Sequence, residues 1–190
     1  MPVTLERETK ETKIKVTLDA NVETACSIDI PCGFMEHMLS LFTFHSGLSL
    51  QISGNGDTKV DYHHIIEDLG IVLGRSFLEM FRTSANSRYG WNIIPMDGSL
   101  VMTSLDISGR SKLVWELDFP TEKCGDFDLE LIREFWEAFV REARITLHVH
   151  KIVSDNSHHL AEALFKSLGK SFKQAMVPCG SLQSTKGSIL

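Results

Sequence analysis

The chain has 190 residues, 43% of them hydrophobic and 23% charged, enough for one sizeable domain or two small halves sharing a core, and too apolar for intrinsic disorder. A formal net charge of -6 supplies no basic surplus for a polyanion, so no nucleic acid is expected as a partner. Cys26, Cys32, Cys124 and Cys179 are scattered without any C-x-x-C pair, which argues against both a zinc knuckle and a disulfide framework.

The opening "MPVTLERETKETKIKV" is charged from Glu6 onward and holds no apolar leader, and no run in the chain approaches a membrane span. A cytoplasmic protein is therefore expected. "ERETKETK" is a charged strand entry, in which Glu11 by itself reads as one solvated charge among several. "TKIKVTLD" (12–19) alternates Ile14, Val16 and Leu18 on one face, the pattern of a half-buried strand. "FMEHMLSLFTFHSG" (34–47) carries a helical apolar stripe closed by Gly47, and "LSLQIS" (48–53) reads as another strand. Further along, "LVMTSLDIS" (100–108) and "KLVWELDF" (112–119) read as a strand pair turning at Gly109. "LELIREFWEAFVREA" (129–143) reads as a helix and "RITLHVHKI" (144–152) as a strand. Segments 20–33, 83–98 and 177–190, punctuated by Gly, Pro, Ser, Asn or Cys, give no clear element.

Residues 63–80, "HHIIEDLGIVLGRSFLEM", overlay residues 158–175, "HHLAEALFKSLGKSFKQA", at a constant shift of 95. His, His, Glu, Leu, Leu, Gly, Ser and Phe coincide at 63/158, 64/159, 67/162, 69/164, 73/168, 74/169, 76/171 and 77/172. Such self-similarity marks a duplicated half-domain. The expected architecture is α+β: one domain of two homologous halves, about 1–93 and 94–190, each with a sheet backed by helices on one side.

At the head of each helix the spacing H-H-x-x-E lets His63 and His64 both converge with Glu67 from the first turn, and His158 and His159 likewise with Glu162, so one motif supplies three ligands. Imidazole plus carboxylate is a ligand set for a divalent metal such as Mn or Fe, and two copies could hold two ions. One H-H-x-x-E alone would more often be an ordinary helix start, but keeping all three residue types at the same offsets in both halves is hard to explain by packing. His37 in "FMEHML" is either a further ligand or a buried histidine, and the spacing leaves both open. Glu134 in "IREFWEAF" occupies the corresponding place in the second half. His45, His148 and His150 have weaker claims, and the latter two read as structural.

Along nearly its whole length the chain resembles the imidazoleglycerol-phosphate dehydratase family of histidine biosynthesis. The landmarks, in order, are "RETKET", "FMEHML", "GDTKVDYHHIIED", "RYG", "PMDGSL", "LDISGR", "NSHHLAEALFK" and "STKG". The resemblance implies a fold like the second domain of ribosomal protein S5 and two Mn2+ per site, held between subunits of a twenty-four-subunit homo-oligomer. Carried over residue by residue, it implies His37, His63, His64, Glu67, His158, His159 and Glu162 as ligands, with Glu134 where many members have histidine. It implies Glu11 as the acid/base carboxylate beside the substrate, and Arg88, Arg110, Lys166, Ser184 and Lys186 as contacts to a phosphorylated small molecule, with His45 placed among them. Gly98, Glu36 and Leu41 depart from the family pattern, where Glu, Asp and in some members Gln stand.

The reaction so implied removes water from imidazole glycerol phosphate to give imidazole acetol phosphate, through an imidazolate-like ring stabilised by metal. The same ligands would also suit a dinuclear hydrolase of a phosphorylated small molecule, which would release phosphate, or a metal store, which would need no arginines for a phosphate.

Overall fold

A computed structural model describes residues 2–20, 25–81, 85–181 and 184. In chain order the elements are β1 (Val3–Glu8), β2 (Thr12–Asp19), β3 (Cys26–Asp29), α1 (Gly33–Ser46), β4 (Ser49–Gly56), α2 (His63–Phe81), β5 (Tyr89–Met96), β6 (Ser99–Asp106), β7 (Lys112–Glu116), β8 (Lys123–Cys124), β9 (Phe127–Asp128), α3 (Glu130–Ala143), β10 (Thr146–Val153) and α4 (Ser157–Ala175).

Two four-stranded sheets carry the duplication. The first has the order β1-β2-β4-β3 and the second β5-β6-β10-β7. In each, the outermost strand after the crossover runs parallel to its neighbour, β3 to β4 and β7 to β10, while the other pairs are antiparallel. Each sheet therefore has the same topology, strand for strand.

Alternation decides which face is buried. Ile14, Val16 and Leu18 of β2 are buried at 0–1% exposure while Lys13 and Lys15 face outward, and Val101, Leu105, Leu147 and Val149 repeat this in the second sheet. The inner face of the first sheet is covered by α2 and that of the second by α4. Helix packs on helix chiefly across the halves, α2 on α3 and α1 on α4. Phe42, Phe77, Phe135, Trp136, Phe139, Phe165 and Phe172 meet at the centre, with Phe77 and Phe172 in edge contact at 5.1 Å between centroids.

Two glycines set how closely these helices approach. A Cβ on Gly74 would lie 2.6 Å from the Phe139 carbonyl oxygen, and one on Gly169 would lie 2.8 Å from that of Phe42. These are equivalent positions in the two halves, and only hydrogen fits there.

The structure differs from the sequence reading in three places. The segments 100–108 and 112–119 do form strands β6 and β7, but they do not pair, because β10 lies between them. Residues 83–98, read as irregular, contain β5, and β1 and β3 likewise lie where no separate strand was assigned. The expected division near residue 93 falls inside β5, all of which pairs with β6, so the second sheet already begins at Tyr89.

Candidate metal centre

The two H-H-x-x-E segments start α2 and α4, and a polar residue two positions before the first histidine caps each start. Asp61 Oδ1 accepts from His63 N at 2.7 Å, and Asn156 Oδ1 accepts from His159 N at 2.8 Å. These caps are the signal that fixes where each helix begins.

Successive residues on a helix point about 100° apart, so the paired histidines cannot both face one point. The rings are nearly perpendicular, at 88° for His63 and His64 and 80° for His158 and His159. His158 turns toward Glu162, its Nε2 lying 3.2 Å from Oε1. His159 turns the other way, with Nε2 3.4 Å from Asp97 Oδ2 and Nδ1 3.4 Å from Asp155 Oδ2. The expectation that both histidines of a motif converge on its glutamate thus gives way to a split, imposed by helix geometry.

His37 reaches the same carboxylate from α1, with Nε2 also 3.2 Å from Glu162 Oε1. His37, His158 and Glu162 each offer an atom within 4.8 Å of the others, the one such group of three among the described residues. Burial alone would raise the Glu162 carboxyl, but the Lys166 ammonium at 2.6 Å from Oε2 and the His37 and His158 rings outweigh it and hold it down to about 2. An ionised carboxylate between two imidazoles is what a divalent cation requires. Lys166 also lies 3.1 Å from Met96 Sδ.

The first motif is arranged differently. His64 Nδ1 lies 3.1 Å from Asp57 and 4.0 Å from Glu11 Oε2, and the Asp57 hydrogen bond raises its pKa. Glu67 lies 3.4 Å from Arg141 Nη2, across the α2–α3 contact. Glu134, on α3, lines an open cleft of about 650 Å³ with Trp115, Phe119, Glu130 and Glu137. His45 packs against Gly169, and burial together with Lys170 and Lys166 lowers its pKa.

Arg88 and Arg110 converge on a residue that sequence reasoning did not single out. Arg88 donates from Nε and Nη2 to Asp106 at 2.5 and 3.0 Å, and Arg110 Nη2 lies 3.7 Å from the same carboxylate. Arg88 holds a left-handed φ of 66°, unusual for a side chain this large. Its partner was hidden because Asp106 ends β6 opposite Tyr89, so it meets Arg88 across the β5–β6 pairing and Arg110 around the turn that follows. Arg88 stands just before one end of β5, and Met96 with Lys166 marks the other, so their backbones are on the order of 25 Å apart at ~3.3 Å per residue. Ser184 is half-buried, and Lys186 lies outside the described residues.

The sequence profile of the family described as imidazoleglycerol-phosphate dehydratase matches residues 30–172. The chain is 47% identical over 187 residues to the imidazoleglycerol-phosphate dehydratase of Staphylococcus carnosus, covering 97% of each chain. The chain belongs to the imidazoleglycerol-phosphate dehydratase family. A member from Caldicellulosiruptor saccharolyticus is 41% identical over 187 residues, covering 97% of this chain and 96% of its own. Among solved structures, the Staphylococcus aureus imidazoleglycerol-phosphate dehydratase superposes with a TM-score of 0.86 at 39% identity, covering 94% of this chain and 100% of that one. The Pyrococcus furiosus protein, solved in complex with (S)-C348, gives 0.85 at 33% identity, covering 97% and 99%. Membership makes the chain a lyase, on the α+β fold its relatives share.

Proposed function

We propose that this imidazoleglycerol-phosphate dehydratase homologue removes water from imidazole glycerol phosphate to give imidazole acetol phosphate in histidine biosynthesis, with Mn2+ as its metal. The single observation that carries the metal reading is the convergence of His37, His158 and the ionised Glu162 from two helices. When bound, the metal supplies Lewis-acid stabilisation of negative charge on the heterocycle. The chain's own residues do the rest. Glu11 would move a proton, a role supported by its exposure and its 4.0 Å separation from His64. Arg88 and Arg110, gathered by Asp106, would hold the phosphate and fix the ring against the metal. Ser184 and Lys186 would add to that phosphate contact.

We further take the active site to be shared between copies in a large homo-oligomer. What supports this is the length of β5, which separates the backbone at Arg88 from Met96, beside Lys166 and Glu162, by on the order of 25 Å, a long span for one small substrate. His63, His64, Glu67 and His159 would then complete metal coordination with residues of another copy. Exposed apolar side chains on the outer face of the second sheet, Trp91 at 65%, Ile93 and Ile152, offer surface for self-association.

The test is turnover of imidazole glycerol phosphate by purified protein with and without MnCl2, following product mass and inorganic phosphate. Loss of water with phosphate retained supports dehydration; release of inorganic phosphate instead would establish the dinuclear hydrolase. Metal content and particle size before and after chelation test the shared site.

A further inference from the structure

The two halves differ in one connection. In the first half residues 30–32 join β3 directly to α1, whereas in the second half residues 117–129 intervene between β7 and α3 and include the β8–β9 hairpin. The hairpin turns at Gly125, whose φ of 64° suits the first central position of a two-residue turn. Lys123 and Asp128 close its open end at 3.0 Å.

This insertion reaches the starts of both histidine-bearing helices by separate routes. At its base, Thr121 N donates to Ser157 Oγ at 3.0 Å, and the two hydroxyls lie 2.7 Å apart; Ser157 is the residue before His158. At its tip, Tyr62 Oη donates to Asp126 Oδ2 at 2.7 Å, and Tyr62 is the residue before His63. Between them the buried Phe127 ring stacks on Phe34 at 4.9 Å, and Phe34 meets the His158 ring edge-on at 5.8 Å. Tyr62 lies against the same Phe127, at 6.4 Å and 26°.

We propose that the β8–β9 hairpin is a positioning brace for the metal centre: Phe127 through Phe34 fixes the His158 ring, and Asp126 through Tyr62 fixes the start of α2, so one insertion ties both H-H-x-x-E segments into one frame. The inference rests on the metal reading above. None of Phe34, Tyr62, Asp126 or Phe127 would touch metal or substrate; each acts through a ligand-bearing neighbour. Outer-shell groups that fix the orientation of a ligand change metal affinity by about 10–100-fold when replaced.

Metal-free full-length protein is titrated with MnCl2 while free and bound Mn2+ are followed by electron paramagnetic resonance. Phe127→Leu keeps an apolar side chain but removes the stack, and is expected to weaken Mn2+ binding by about tenfold or more and to broaden the bound-ion spectrum. Tyr62→Phe keeps the ring and removes only the link to Asp126, with an expected weakening of about threefold. Phe139→Leu, which trims a ring in the central aromatic cluster, is the control: it lowers the melting temperature but leaves Mn2+ affinity and line shape unchanged. Wild-type affinity in Phe127→Leu, or equal weakening in Phe139→Leu, overturns the brace. If Phe127→Leu does not fold, Tyr62→Phe decides alone, and wild-type affinity there overturns it. A wild-type protein that takes up no Mn2+ removes the metal reading itself, and the brace with it.

Discussion

His37 and Glu162 lie 3.2 Å apart although 125 positions separate them in the chain, and the contact exists because α1 of one half packs on α4 of the other. A single imidazole–carboxylate contact here reports the packing of the halves and lies at the centre of the proposed ligand set. Replacing Glu162 by Gln keeps the shape and removes the charge. The expected result is loss of at least one Mn2+ per chain and a fall in dehydratase rate of a hundredfold or more, since ligand supports of lesser rank already reach about that size. Metal analysis alongside turnover checks it; full metal content in Glu162→Gln would count against the cluster as a ligand set.

The acidity of Glu162 gives a stability signature in the metal-free protein. Its folded pKa of about 2 lies below the ordinary carboxylate value of 4.5. The sign follows from linkage: ionised Glu162 contributes stability that is fully present above about pH 4.5 and is lost as pH falls toward 2. Lys166→Met takes away the nearest cation and should raise the Glu162 pKa, shrinking that contribution. Urea unfolding of both metal-free proteins at several acidic pH values checks it, with a shallower acid slope expected in the variant.

Asp106 is expected to matter for substrate affinity without touching the reacting carbon. Asp106→Ala removes the carboxylate that accepts two hydrogen bonds from Arg88, a side chain only 13% exposed. A stability loss of about 2 kcal/mol is expected, because a largely buried guanidinium loses its counter-charge. The KM for the phosphorylated substrate should rise more than kcat falls, about tenfold or more, as the arginine clamp loses its geometry. Steady-state kinetics separate the two; an unchanged KM would remove Asp106 from this positioning role.

The close helix contacts make a prediction independent of any chemistry. Gly169→Ala places a methyl 2.7 Å from His45 Cβ and 2.8 Å from the Phe42 oxygen, and Gly74→Ala does the same against the Phe139 oxygen. Each substitution is expected to cost about 2 kcal/mol, since backbone cannot yield as a flexible side chain can. Denaturant midpoints check this, and Gly125→Ala in the hairpin turn offers a contrast, because nothing lies within 4 Å of a Cβ there. Its cost is only that of a strained φ.

What the sequence discloses and what it conceals follow a physical line. Strand β2 and helices α2 and α4 are legible because their apolar residues repeat at the period of the element that buries them, as Ile14, Val16 and Leu18 do. Strand β5 is not, because its outward positions are Tyr89, Trp91 and Ile93, all exposed, so hydrophobicity does not alternate along it. The order of β6, β10 and β7 is illegible for a different reason: alternation tells which way a side chain faces, not which strand lies alongside. In the site, His158 and Glu162 share a helix face and are readable as a pair. The place of His37 depends on a partner helix far along the chain, and local spacing leaves it open. The meeting of Arg88 and Arg110 at Asp106, one across paired strands and the other around a turn, carries no periodic trace at all.

The cross-wise pairing of α2 with α3 and α1 with α4 bears on how the polypeptide matures. A nascent chain that has emerged only as far as Phe81 presents a sheet and two greasy rods whose proper companions are still untranslated. Neither repeat is a rehearsal for the other: the first must wait, partly undressed, until its twin arrives, and chaperone demand should peak in that interval. An ancestral single repeat with this layout would have reached a dry interior by dimerising, and gene fusion would have made that partnership permanent.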